Sequence, residues 1–259
     1  MSKSLDGVLI KKANKTERFS PEQIEHILAC SDPDNGPYHF IRNFFHIQHP
    51  VKGKLLCEPF DYQIRLVESY HNHRFNVNLL PRQSGKTTTA AGYLLWYAMF
   101  NPDVTVLIAA HKYTGAQEIM QRIRYAYELC PDYIRAGVVS YNKGSIEFDN
   151  GSRIVSATTT STTGRGMSIS LLYCDEFAFV APTIAEEFWT SISPTLSTGG
   201  RAIITSTPNS DEDQFALIWT EANNRFDEFG NEQDVGINGF YPFKAHWRSE
   251  EHTSELQSP

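Results

Sequence analysis

Asn78-Leu79-Leu80-Pro81-Arg82-Gln83-Ser84-Gly85-Lys86-Thr87-Thr88 is the stretch that decides how this chain folds. Upstream, Phe75 to Leu80 has the apolar content of a short buried strand. Downstream, Thr87 to Phe100 carries Ala, Leu, Trp and Met at helical spacing. Strand, turn ending in Gly-Lys-Thr, then helix is the layout of a loop that cradles phosphate. Gly85 lets backbone N–H groups approach phosphate oxygens, and Lys86 supplies a point charge. The Thr87 hydroxyl suits Mg²⁺, and the helix start adds the positive end of a dipole. The general pattern asks for glycine at the first loop position, where this chain has Leu80. Ser-Gly-Lys-Thr by itself also arises by chance, so the rest of the chain has to support it.

Composition narrows the classes. With 259 residues, 41% hydrophobic and 20% charged, the chain matches an ordinary globular protein. It has no run of 18 apolar residues, and its first residues lack the apolar core of a signal peptide. Cys30, Cys57, Cys130 and Cys174 are scattered, which argues against a zinc site or a disulfide framework. A net charge of −7 gives no global nucleic-acid signature, although a local basic patch stays compatible with it.

The N-terminal residues 1–20 are polar, with Lys11, Lys12, Lys15 and Arg18, and read as a solvated tail, with a flexible arm touching DNA or a partner as the alternative. Ser20-Pro21-Glu22-Gln23 opens a helix that runs to about Cys30 and stops at the turn cluster from Ser31 to Pro37. Aromatic-rich Tyr38 to Ile47 reads as a second helix. Pro59 to Gln63 opens a third, which continues from Ile64 to His71. The Gln63 amide offers a donor and an acceptor side by side, which matches the adenine edge and equally suits a surface position. His71 and His73 have no third ligand nearby in sequence and read as exposed histidines.

Val104 to Ala110 is apolar throughout, as in a strand buried on both faces of a parallel sheet. A helix follows from Gly115 to Leu129. Asp149-Asn150-Gly151 between Ser145–Phe148 and Arg153–Ala157 signals a hairpin, and Thr158 to Gly166 is too polar for core. Ile169 to Cys174 is mostly apolar and ends in Asp175-Glu176. Adjacent carboxylates at a strand end suit magnesium and an attacking water; a strand running into a solvated turn is the plainer alternative. Helix Ile184–Ile192 precedes another buried strand that ends in Thr205-Ser206-Thr207. Those hydroxyls suit a γ-phosphate, or a cap for the helix Asp213–Asn224. After Asn224 no clear core element is expected.

Taken together, these residues resemble the ATPase domain of the large terminase subunit of tailed bacteriophages, most closely the T4-like packaging motors, over about 60–247. Tyr62-Gln63 match the adenine motif, and Pro81-Arg82-Gln83-Ser84-Gly85-Lys86-Thr87 match a deviant Walker A. Leu171 to Glu176 match Walker B, and Thr205-Ser206-Thr207-Pro208 the coupling motif. The resemblance implies an α/β P-loop NTPase of the ASCE type. That fold has a mainly parallel central sheet flanked by helices, here with a small helical region over 1–58 and an ATPase domain over 59–247. It implies that Lys86 and Arg82 stabilise phosphate charge, Asp175 and Thr87 hold Mg²⁺ and Glu176 is the catalytic carboxylate. Gln63 would read adenine, Thr88 would belong with the ATP-binding loop, and Ser206-Thr207 would couple hydrolysis to motion. Arg165 would be a sensor arginine.

The implied activity is ATP hydrolysis driving double-stranded DNA into a procapsid, in the cytoplasm of an infected bacterium. The implied partners are a portal protein, the small terminase subunit and further copies in a ring, with no membrane. A helicase-like remodelling ATPase and a nucleotide-gated interaction module are the alternatives. Asn142-Lys143-Gly144-Ser145 lacks the aspartate of a guanine reader. Residues 248–259 are expected to be a non-native or disordered tail. The RNase H-type nuclease domain of the resembled family is expected to be absent.

Overall fold

The computed structural model describes residues 10–245, so the C-terminal tail expected over 248–259 lies outside the described residues. In chain order the elements are α1 (Pro21–Ser31), α2 (Gly36–Asn43), β1 (His46–His49), β2 (Gly53–Leu56), α3 (Asp61–Asn72), β3 (Phe75–Leu79), α4 (Lys86–Phe100) and β4 (Thr105–Ala110). They continue with α5 (Tyr113–Leu129), β5 (Val138–Tyr141), β6 (Ser145–Phe148), β7 (Arg153–Thr158), β8 (Leu171–Asp175), α6 (Pro182–Ile192), β9 (Arg201–Ser206), α7 (Gln214–Asn223) and β10 (Tyr241–Lys244). Strands pair in the order β10-β3-β9-β8-β4-β7-β6-β5, and β1 and β2 form a separate antiparallel hairpin. The chain divides into two compact units. Of the described residues, one takes those up to Pro59 with Thr87–Val106 and Gln117–Ser156; the other takes Phe60–Lys86, Leu107–Ala116 and those from Ala157 onward.

In the first unit, α1 starts as its sequence demands. Ser20 Oγ accepts from the Gln23 N–H at 3.3 Å, and Gln23 Oε1 accepts from the Ser20 N–H at 2.9 Å. These reciprocal bonds satisfy donors that a helix start otherwise leaves orphaned. The Trp96 indole N–H donates to the Cys30 carbonyl at 2.8 Å, so α4 also ties down the end of α1. Asn150-Gly151 turns β6 back into β7, with Gly151 at φ +83° and Asn150 Nδ2 bonded to the Ala98 and Met99 carbonyls. The hairpin expected from Asp149-Asn150-Gly151 is therefore present. The aromatic run from Tyr38 does not continue as a helix to Ile47: α2 stops at Asn43, and His46–His49 is a strand paired with Gly53–Leu56.

In the second unit β10, β3, β9 and β8 are mutually parallel. Every residue of β8 is buried, as its apolar sequence requires. β9 lies between β3 and β8, and its register sets Asn78, Thr205 and Asp175 in one row. Arginines close the opposite end of these strands. Arg201 donates to the Tyr70, His71 and His73 carbonyls that end α3, and Arg74 donates to the Gly200 and Leu196 carbonyls.

Three readings need correction in this unit. A strand does follow Asn224: β10 pairs with β3 and buries Phe243, with Phe240 buried just before it. Helix α7 is capped by Asp213, whose carboxylate accepts from the Ala216 and Ser210 N–H groups at 2.8 and 3.0 Å, not by Thr205, Ser206 or Thr207. His71 and His73 are half-buried rather than exposed, and His73 stacks on Tyr241 with ring centres 3.8 Å apart.

Candidate functional site

The site is assembled where β3, β8 and β9 end. Leu80 donates its backbone N–H to the Ser206 carbonyl at 3.1 Å and buries its side chain almost completely. This accounts for leucine where the general loop pattern has glycine: the side chain fills core. The loop then turns through Gln83 at φ +63° and Gly85 at φ +71°. The Ser84 hydroxyl donates to the Pro81 carbonyl at 2.9 Å. Gly85 is required twice over, because a Cβ there would sit 2.5 Å from Gln63 Nε2 in addition to the backbone strain.

Gln63, near the start of α3, braces this loop. Its Nε2 donates to the Ser84 carbonyl and the Tyr62 hydroxyl, both at 3.2 Å, and its Oε1 accepts from the Phe60 N–H at 3.1 Å. The Tyr62 hydroxyl also donates to the Ser84 carbonyl. Two side chains from one helix turn therefore hold a single loop carbonyl.

Lys86 is buried, and its Nζ lies 2.8 Å from Glu176 Oε1. Thr87 and Thr88 follow it in the first turn of α4. Glu176 adopts φ 51° and ψ 44°, a left-handed conformation that costs a non-glycine residue about 1–3 kcal/mol. That turn takes the chain out of β8 and aims the carboxylate at its partners. Oε2 accepts from the Thr207 hydroxyl at 3.2 Å, the Thr207 N–H at 3.3 Å and the Ser206 hydroxyl at 3.4 Å. Burial raises the Glu176 pKa, but the Lys86 ammonium and the Thr207 donors outweigh burial and hold it below the ordinary glutamate value.

Asp175 is buried at the end of β8, and one of its oxygens accepts from the Tyr173 hydroxyl at 3.1 Å. The loop after Glu176 is clamped to the end of β9: Ala178 donates its N–H to Ser206 Oγ at 3.2 Å, and Asn209 donates to the Ala178 carbonyl at 3.0 Å. Arg82 is exposed and lies over the Phe179 ring at 5.9 Å.

Tyr62, Gln63, Arg82, Ser84, Gly85, Lys86, Asp175, Glu176, Ser206 and Thr207 thus meet around one strand-end cluster. Arg165 is exposed and donates to Ser191 on α6 at 3.5 Å. Sequence reasoning passed over Tyr173, Asn78 and Phe179. A tyrosine two residues before Asp175 and an asparagine inside an apolar strand were the available signals. A buried ammonium, a hard carboxylate and a glycine-dependent loop form a donor set that fits a magnesium-bound nucleoside triphosphate.

Fold and site together define a P-loop NTPase. The family described as terminase large subunit, T4likevirus-type, N-terminal, matches residues 77–255, well over half the chain. The chain belongs to that family. Among solved structures it is similar to the large terminase ATPase domain of Thermus phage P74-26, at 21% identity and a TM-score of 0.59, over 77% of this chain and 86% of that one. It is also similar to the large terminase of bacteriophage HK97, at 17% identity and a TM-score of 0.61, over 72% of this chain and 40% of that one. A third is the large terminase of thermophilic bacteriophage D6E in complex with ADP, at 12% identity and a TM-score of 0.52, over 78% of this chain and 51% of that one. The mainly parallel α/β fold read from the sequence is the fold these proteins share.

Proposed function

We propose that this domain binds ATP with magnesium and hydrolyses it to drive double-stranded DNA during phage genome packaging. The observation that carries the proposal is the pair of buried Lys86 and half-buried Glu176, set beside Asp175 at the end of parallel strands. A buried ammonium held by a carboxylate is prepared to exchange that partner for phosphate oxygens. Lys86 then binds the β- and γ-phosphates, and Glu176, still held by Thr207 and Ser206, orients a water and accepts its proton. Arg82 adds charge stabilisation from the loop. Asp175 and Thr87 are the residues that would hold magnesium, which would supply neutralisation of phosphate charge.

On nucleotide binding, Gln63 turns its amide from Phe60 and Ser84 to the adenine edge, which presents the same donor–acceptor pair. Thr205, Ser206 and Thr207 couple occupancy of the site to motion, since Thr207 and Ser206 touch the catalytic carboxylate directly. In this reading the remaining partners are a portal protein, the small terminase subunit and further copies of this chain in a ring, in the cytoplasm of the infected host. None of the described helices is long and apolar enough to cross a membrane.

Steady-state phosphate release with and without duplex DNA tests the proposal. Turnover stimulated by blunt duplex, with no strand separation, is the expected result. Strand separation coupled to hydrolysis would indicate a helicase-like remodeller instead.

A further inference from the structure

Within the sheet of the second unit, three strands carry polar side chains where apolar ones would pack at lower cost. Asn78 on β3, Thr205 on β9 and Tyr173 on β8 are fully buried, and Asp175 is nearly so. The parallel register sets Asn78 opposite Thr205, and Thr205 opposite Asp175. Asn78 Nδ2 donates to Thr205 Oγ1 at 3.3 Å and to the Ile204 carbonyl at 3.2 Å. Thr205 lies beside Tyr173 and opposite Asp175 in the register, and the Tyr173 hydroxyl donates to Asp175 Oδ1 at 3.1 Å. Buried hydroxyls and amides cost stability unless they are hydrogen-bonded; the Asn78 amide N–H and the Tyr173 hydroxyl are bonded, while Asn78 Oδ1 has no partner among the described residues.

We propose that Tyr173 is a positioning residue for Asp175. Thr205 and Asn78 extend its support into a buried relay that ties this carboxylate to the strand entering the phosphate loop. The relay rests on the reading of the site as one for magnesium and nucleotide. Fixing Oδ1 through the tyrosine sets the plane of the carboxylate, and with it the direction in which the group faces a cation. The position of Thr205 adds a second consequence. Thr205 sits opposite Asp175 and beside Tyr173, while the next two residues, Ser206 and Thr207, hold Glu176. Three consecutive residues at the end of β9 therefore flank both carboxylates, Asp175 from the facing register position and Glu176 by direct hydrogen bonds. A shift at the end of this strand would change cation binding and water activation together.

Tyr173→Phe tests the relay, because it keeps the ring and removes only the hydroxyl. Mn²⁺ serves as the probe, titrated by electron paramagnetic resonance into the ADP-bound chain. ADP affinity is measured separately in chelator, and a thermal melt reports folding. Outer-sphere partners of metal ligands typically affect affinity by about 10–100-fold. Mn²⁺ affinity is expected to fall about tenfold with metal-free ADP affinity unchanged. The Mg²⁺ concentration for half-maximal hydrolysis should rise by the same factor, and kcat at saturating Mg²⁺ should be retained. Thr205→Val should weaken Mn²⁺ in the same direction, and Thr205→Ser should restore it. Wild-type Mn²⁺ affinity in folded Tyr173→Phe overturns the relay, as does an equal loss of metal-free ADP binding. Where Tyr173→Phe does not fold, the Thr205 pair decides by the same readout. A wild-type chain that fails to take up Mn²⁺ with ADP overturns the nucleotide-site reading itself; a wild type that binds while Tyr173→Phe is unaffected overturns the relay alone.

Discussion

Among the described residues four non-glycine residues adopt positive φ, and they divide evenly between the two units. In the first unit they are Asn14 (φ 55°) and Asp103 (φ 56°); in the second, Gln83 (φ 63°) and Glu176 (φ 51°). The first pair are residue types whose short polar side chains tolerate this conformation, and both sit in turns. The second pair have no such tolerance, and both sit in the phosphate loop or at the strand end facing it. A turn can select the residue that suits its backbone. A site must take the residue its chemistry needs and hold it there with neighbours, here Lys86, Ser206 and Thr207 around Glu176.

The comparison breaks most readily at Lys86. Lys86→Ala should lower hydrolysis by about a hundredfold or more, as expected when a positioned charge is lost from a phosphoryl-transfer site. It should also leave the half-buried Glu176 without its cation. Phosphate release and nucleotide binding, measured on the same sample, separate the two effects. Any matching loss from a charge change in the first unit, such as Lys15→Ala, would erase the distinction between the units.

Gln63→Ala should relax the preference for ATP over GTP by about 5–150-fold, the range for one bidentate contact worth about 1–3 kcal/mol. Competition kinetics with the two nucleotides measure it. An unchanged ratio with both affinities lowered would leave Gln63 as a brace for Ser84 alone.

Acid sensitivity sharpens the comparison further. The Glu176 carboxyl is held below its ordinary value of 4.5, so its pairing stabilises the fold above that pH. This contribution is lost as pH falls through the depressed folded-state value. Urea midpoints taken from pH 6 down to pH 3 should therefore drop more steeply for the wild type than for Glu176→Gln.

The smallest effect concerns backbone strain alone. Gln83→Gly should raise stability by about 0.5–1 kcal/mol, because glycine removes the left-handed penalty. Asp103→Gly should change it by less than about 0.5 kcal/mol, since aspartate already tolerates the turn. Equal shifts in the two melts would mean that the strain is not concentrated at the site.

The parts of the chain legible from sequence were those with long or unambiguous patterns. The strand-loop-helix around Lys86, the apolar runs ending at Ala110 and Asp175, and the Asn150-Gly151 turn each carry a local signal strong enough to read alone. β10 escaped because it is four residues long and contains Pro242, which a central strand excludes but a strand at the sheet edge accepts. β1 escaped because His46–His49 continues an aromatic run that has no clear period. At the site, the motifs named the chemical groups but not their supports. Asn78 acts through a strand distant in sequence and Phe179 through a contact between two loops, which spacing along one strand does not reveal, while Tyr173 supports Asp175 from two residues upstream on the same strand, a role no motif names. The Asp213 cap shows the reverse: a strong local capping residue took the role that the Thr205–Thr207 hydroxyls were candidates for.

The central claim is that Glu176 is the group that activates water, held in a strained backbone for that purpose. Single-turnover hydrolysis of prebound MgATP by Glu176→Gln tests it most directly, because the amide keeps the shape and loses the base. Retained MgATP binding with a hydrolysis rate lowered about a hundredfold or more is the expected result. Near-normal single-turnover hydrolysis in that variant would contradict the account.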